Sequence, residues 1–259
     1  MGFEPGPLEA ALRVRRSRGG KALVPYLTGG LGDWQGALAA AADAGADALE
    51  VGIPFSDPVM DGPVIQQAND RALAAGVTPT SVLDDLGRLD VGVPLAVMTY
   101  YNIAFRFGLE RFAAVLAERG VAAAILPDLP LEEAGPWVEA ADTAGVETVL
   151  LAAPTASDER LTRICSRSRG FVYGVGLLGV TGVRSQLASS AVVMAERLKR
   201  VTDVPVLVGV GVGTPAQAQE VCRVADGVVV GSAVVRRMLD HGDPAAVAEL
   251  VGRFRRALD

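Results

Sequence analysis

Eight short apolar runs, several of them rich in β-branched residues, recur along the chain at 22–27, 47–51, 94–98, 122–126, 147–151, 170–175, 205–209 and 227–231. Between them lie Ala-rich stretches with apolar residues at helical spacing, among them 35–44, 109–119, 132–144, 158–168, 191–200 and 215–224. Near-continuous apolar strands that alternate with amphipathic helices belong to a parallel sheet covered by helices, because both faces of each strand must be buried. Right-handed crossovers let eight such units close into a (β/α)8 barrel. The reading is therefore a single (β/α)8 TIM barrel domain over residues 1–259, with a doubly wound open sheet as the alternative. An extra N-terminal helix is expected over 7–18, with Leu8, Leu12 and Val14 as its apolar residues, placed to plug the bottom of the barrel. Gly45, Gly120, Gly145 and Gly227 fall at helix ends or strand starts, where a left-handed cap favours glycine. Thr214-Pro215 and Asp158 mark helix starts.

Thirty carboxylates against twenty-four Lys and Arg leave the chain mildly acidic, with no basic block to follow a nucleic-acid backbone. The N-terminus lacks the apolar core of a signal peptide and no apolar run reaches membrane-spanning length, so neither nucleic acid nor membrane is an expected partner and a cytoplasmic location is. Cys165 and Cys222 read as ordinary thiols. His241 is the only histidine and has no Cys/His cluster around it, which argues against a transition-metal site.

The chemistry-bearing stretch is 47–63, where an apolar strand runs into a Pro- and Gly-punctuated loop with carboxyls at Glu50 and Asp61. A carboxyl near the end of an apolar strand is desolvated, which raises its pKa towards the range useful for acid/base work. Asp61 precedes Gly62, and alone it would read as a turn residue. Three glycine-rich loops follow the sixth, seventh and eighth runs: Gly179-Val180-Thr181-Gly182, Gly209-Val210-Gly211-Val212-Gly213-Thr214 and Gly231-Ser232-Ala233. Barrels commonly bind phosphate there, through backbone N–H groups and the positive end of a short helix, here one starting at Ser232. Arg184 could add a cation. The Gly209/Gly211/Gly213 spacing is not a dinucleotide fingerprint, which belongs to a first βα turn with a different glycine pattern.

Taken in order, Leu49 to Pro58 with Asp61-Gly62-Pro63, Met98-Thr99-Tyr100-Tyr101-Asn102, Pro127-Asp128-Leu129-Pro130, Ala153-Pro154-Thr155, Gly179 to Gly182 and Gly231-Ser232-Ala233 resemble the α subunit of tryptophan synthase and its stand-alone indole-releasing relatives. The resemblance spans about Val24 to Ala233. It implies retro-aldol cleavage of indole-3-glycerol phosphate to indole and glyceraldehyde 3-phosphate, without a cofactor. By motif match it makes Glu50 the acid/base glutamate and Asp61 the aspartate facing the indole N–H. Tyr173, Tyr100 and Ile65 would line the site, Gly182, Gly211, Gly231 and Ser232 would hold the phosphate, and Thr181 would be a further substrate-binding residue. It also implies a β subunit as partner, in an α2β2 complex.

Several loop positions depart from the family pattern: Thr28-Gly29-Gly30-Leu31-Gly32 after the first strand, Gly-Val-Gly-Leu-Leu at 174–178, Met60 beside Asp61, and Val210 where an aromatic residue often packs on the indole. They leave open a paralogue that releases free indole without a β subunit, and a catalytically weak subunit that mainly activates one. A sugar-phosphate isomerase or aldolase is the other enzyme reading. A Schiff-base aldolase would need a lysine at a C-terminal strand end, and Lys21 and Lys199 are not at one.

Overall fold

The computed structural model describes residues 4–176, 184–209 and 211–259, apart from the side chains of 184–189. From the N-terminus run α1 (Pro7–Ser17), β1 (Ala22–Thr28), α2 (Trp34–Asp43), β2 (Leu49–Gly52), α3 (Pro63–Ala74), α4 (Pro79–Leu86), β3 (Leu95–Met98), α5 (Tyr101–Phe107), α6 (Leu109–Glu118) and β4 (Val121–Ile125). The second half continues through α7 (Gly135–Ala144), β5 (Glu147–Ala152), α8 (Asp158–Arg167), β6 (Val172–Gly174), α9 (Arg184–Lys199), β7 (Val206–Val208), α10 (Pro215–Val221), β8 (Gly227–Val230), α11 (Ser232–His241) and α12 (Pro244–Leu258).

The eight strands close in sequence order into a parallel barrel, β8 pairing back onto β1. All eight apolar runs are strands, because each is buried on both faces, towards the barrel interior and towards the helices. Helix starts follow side-chain chemistry. Thr78 and Thr214 form capping boxes with Ser81 and Gln217, and Ser157 accepts from the Arg160 amide one residue before the expected start. The helix expected from 132 begins at Gly135, with Pro136 in its first turn.

One expected cap is wrong. Gly227 does not have a positive φ. It opens β8 because a Cβ there would run into the backbone oxygen of Ala22 on the adjoining strand. Gly45, Gly120 and Gly145 do take left-handed geometry, as expected.

The N-terminal helix spans the expected segment and packs on the N-terminal end of the barrel. Leu8 and Leu12 are buried, and Glu147 at the start of β5 accepts from the Leu8 and Glu9 amides at 2.7 and 3.0 Å. At the same end Asp226 accepts from Lys199 Nζ at 2.8 Å and from the Val206 amide at 2.9 Å, while Lys21 Nζ donates to the Ala225 carbonyl. Both lysines are thus tied up away from the C-terminal rim. No helix of the described residues is long and apolar enough to cross a membrane.

Candidate active site

The parallel register sets Glu50, the second residue of β2, beside Tyr26 of β1 and Ala96 of β3. Glu50 is 1 % exposed and faces a cavity of about 390 Å³. From β2 and the loop that follows it come Glu50, Met60, Asp61 and Gly62, and from α3 comes Ile65. Met98, Leu151, Tyr173 and Val175 supply apolar and aromatic wall. Beyond β7 and β8 the lining turns to glycine: Gly209, Gly211, Gly213, Gly231 and Ser232.

Glu50 has the electrostatics of an acid. Burial, and secondarily the charge of Asp61, push its carboxyl up to about 8, so it holds its proton at neutral pH. Its Oε2 is buried and has no hydrogen-bond partner among the described residues. Natural cores rarely tolerate an idle buried carboxyl oxygen, and this one lies on a cavity wall. Tyr26 and Tyr173 flank it, their hydroxyls pushed up mainly by burial and further by the carboxylates nearby.

Asp61 sits one residue before Gly62, the N-cap of α3. Burial raises its pKa, while hydrogen bonds from Tyr100 and Asn69 favour its charged form. The Tyr100 hydroxyl also accepts from the Met60 amide at 2.9 Å, and its ring stacks on Phe55 at 4.9 Å. Tyr100 therefore fastens both ends of the loop between β2 and α3. Tyr100 is not itself among the cavity-lining residues, and it touches the site through Met60 and Asp61, which are.

At the glycine end, Gly211 takes φ +92°, a geometry that side chains rarely adopt. Ser232 begins α11, whose first N–H groups have no partners within the helix and form the positive end of its dipole. Helix α11 is ten residues long, and so longer than the short helix expected. Of the expected site residues, Glu50, Asp61, Ile65, Tyr173, Gly211, Gly231 and Ser232 share the one cavity. Thr181, Gly182, Gly179 and Val210 lie outside the described residues, as does the side chain of Arg184.

Sequence reasoning missed Tyr26, Met98, Leu151 and Asn69. Tyr26 could have been found as the one aromatic in an otherwise aliphatic strand, and Asn69 as the polar member of the inward face Ile65, Ala68, Asn69, Ala72. Met98 and Leu151 carried no signal that separates a cavity wall from a core. Among the described residues, no group of three or more His, Cys, Asp or Glu could hold a metal ion.

A buried protonated carboxyl, a second carboxyl about which charge is balanced, an apolar chamber and a glycine-lined end can together protonate an apolar ring while an anionic tail is held by backbone. Comparison with known proteins points the same way. Residues 12–252 match the family model described as tryptophan synthase alpha chain. The tryptophan synthase alpha chain of Streptomyces coelicolor is 48 % identical over 93 % of this chain and 91 % of the relative. That of Thermobifida fusca is 44 % identical over 95 % and 94 %. Among solved structures, tryptophan synthase from M. tuberculosis in its aminoacrylate-bound form superposes with a TM-score of 0.89 at 34 % identity, covering 98 % of this chain and 100 % of that one. Tryptophan synthase subunit alpha from Legionella pneumophila gives 0.88 at 32 %, covering 98 % of each.

Proposed function

This chain belongs to the tryptophan synthase alpha chain family, and from that premise we propose how its residues carry out the family's reaction, cleavage of indole-3-glycerol phosphate to indole and glyceraldehyde 3-phosphate. The chain is a carbon–carbon lyase of tryptophan biosynthesis. The observation that carries the residue assignment is Glu50, a buried carboxyl with an idle oxygen on the wall of an apolar cavity whose far end is glycine.

Glu50 delivers its proton to C3 of the indole, and the ring becomes an electron sink. The bond from C3 to the glycerol carbon then breaks, its electron pair returning to the ring. The hydroxyl on that carbon gives up its proton, to Glu50 or to a water it orders, and becomes the aldehyde. Asp61, ionised, offsets the positive charge that develops at the indole nitrogen. Ile65 and Tyr173 hold the ring, and the phosphate lies against the backbone of Gly211, Gly231 and Ser232 at the positive end of α11. By the family resemblance Gly182 adds to the phosphate contacts and Thr181 is a further substrate-binding residue.

The partner is a tryptophan synthase β subunit. Supporting this, Val59 and Phe105 are 81 % and 62 % exposed, with Met60 also exposed, and all three follow strands β2 and β3 on the rim where the cavity opens. A cytoplasmic location goes with this reading, supported by two buried free thiols. Purified chain incubated with indole-3-glycerol phosphate should release indole, and should do so faster when a β subunit is added. No release under either condition would refute the assignment. Full activity with no response to the β subunit would identify a stand-alone lyase instead.

A further inference from the structure

The inward face of α3 is Ile65, Ala68, Asn69 and Ala72, so Asn69 puts an amide where the helix otherwise buries hydrocarbon. It is 2 % exposed. Its Nδ2 donates to Asp61 Oδ2 at 3.4 Å, and its Oδ1 is buried with no partner among the described residues. An asparagine held only for packing would be costly in that state, because a dry, unpaired amide oxygen opposes folding. The side chain is thus committed to a single donor, aimed at one carboxylate.

We infer that Asn69 is a positioning residue which, with the Tyr100 hydroxyl, clamps Asp61 in the orientation and charge state that the cleavage uses. The inference rests on the reading of Asp61 proposed above, and deepens it. The two donors reach Asp61 from different elements, Asn69 from the second turn of α3 and Tyr100 from the head of α5. Asp61 stands at the N-terminal end of α3, whose dipole favours the same charged form. Facing it from the other elements are Glu50 on β2, Tyr26 on β1 and Tyr173 on β6, all carrying protons at neutral pH. Among the described residues, Asn69 and Tyr100 are accordingly the side chains that hold the Asp61 carboxylate by direct hydrogen bonds, while Gln66 Nε2 donates to the Asp61 backbone carbonyl at 2.8 Å. The 3.4 Å separation is at the long end of the hydrogen-bond range.

The test is the pH dependence of kcat/KM for Asn69→Leu, which keeps the volume, and Asn69→Ala, which adds no bulk, beside Asp61→Asn. Loss of a donor to the charged form raises the pKa of Asp61. The acid limb should therefore move up by about half to one pH unit in both Asn69 variants, costing roughly three- to tenfold in rate below that limb. The alkaline limb, which belongs to Glu50, should stay in place, and thermal stability should hold or rise as the idle oxygen is removed. An acid limb unmoved in both variants, with Asp61→Asn inactive, overturns the role of Asn69 alone. Activity that falls at every pH in step with lost thermal stability overturns it as well. An active Asp61→Asn would overturn the reading of Asp61 and the clamp with it.

Discussion

At the scale of single residues, the protonation of Glu50 decides when the enzyme works. Its pKa of about 8 means that the proton-donating form is lost as pH rises through that value, so turnover should fall on the alkaline side with an apparent pKa near 8. A pH–rate profile with no decline up to pH 9.5 or so would contradict this. Stability is linked to the same group. The native state binds the Glu50 proton more tightly than the unfolded chain, so stability is lost as pH rises from the ordinary glutamate range to about 8. Glu50→Gln removes the titration. The variant should gain stability relative to the parent between pH 5 and pH 9, by a few kcal/mol in denaturant unfolding, whereas equal pH dependence in the two proteins would argue against a perturbed Glu50. Glu50 was legible in the sequence because a carboxyl in an apolar run is out of place, whereas Asp61, by itself an ordinary turn residue before Gly62, was legible only through the family motif that it belongs to. Asn69 was not, because its meaning comes from a carboxylate that folds back two helical turns to meet it.

Among the elements, α1 depends on one side chain from another part of the chain. The first-turn amides of a helix have no partners within it, and Leu8 and Glu9 find theirs on the buried carboxylate of Glu147, far along the sequence. Glu147→Ala should destabilise the protein by about 2–4 kcal/mol, since it strands two buried donors, while leaving kcat at 25 °C within about twofold because the site is at the other end of the barrel. Loss of activity without loss of stability would mean that α1 reaches the site. The sequence announced α1 and all eight strands through periodicity and apolar runs. It was weaker on α5, a seven-residue helix whose buried residues are Ile103 and Ala104 and which is too short to show a clear period, and on α11, which is longer than the short helix expected from Ser232. The error at Gly227 has a different origin: a glycine needed for close approach of two strands looks, in sequence, like one needed for a left-handed turn.

For the whole molecule, closure of the barrel turns residues from β2, α3, β6 and the β7 and β8 rims into one site. The order of strands and helices made that closure legible, and glycine loops after the last strands indicated the anion end. Which residues wall the chamber was legible only in part, because wall and core use the same aliphatic side chains. The rim also carries the proposed β-subunit surface. Phe105→Asp places a charge in that surface, so it should weaken activation by the β subunit about tenfold or more while the isolated chain keeps its basal turnover and melting temperature. Unchanged activation would move the docking surface elsewhere. The central claim, that Glu50 supplies the proton which severs the substrate, is tested most directly by measuring indole release and substrate binding for Glu50→Gln. The account requires turnover to drop by about a hundredfold or more with affinity for indole-3-glycerol phosphate preserved; a glutamine variant that turns over near the parent rate would contradict it.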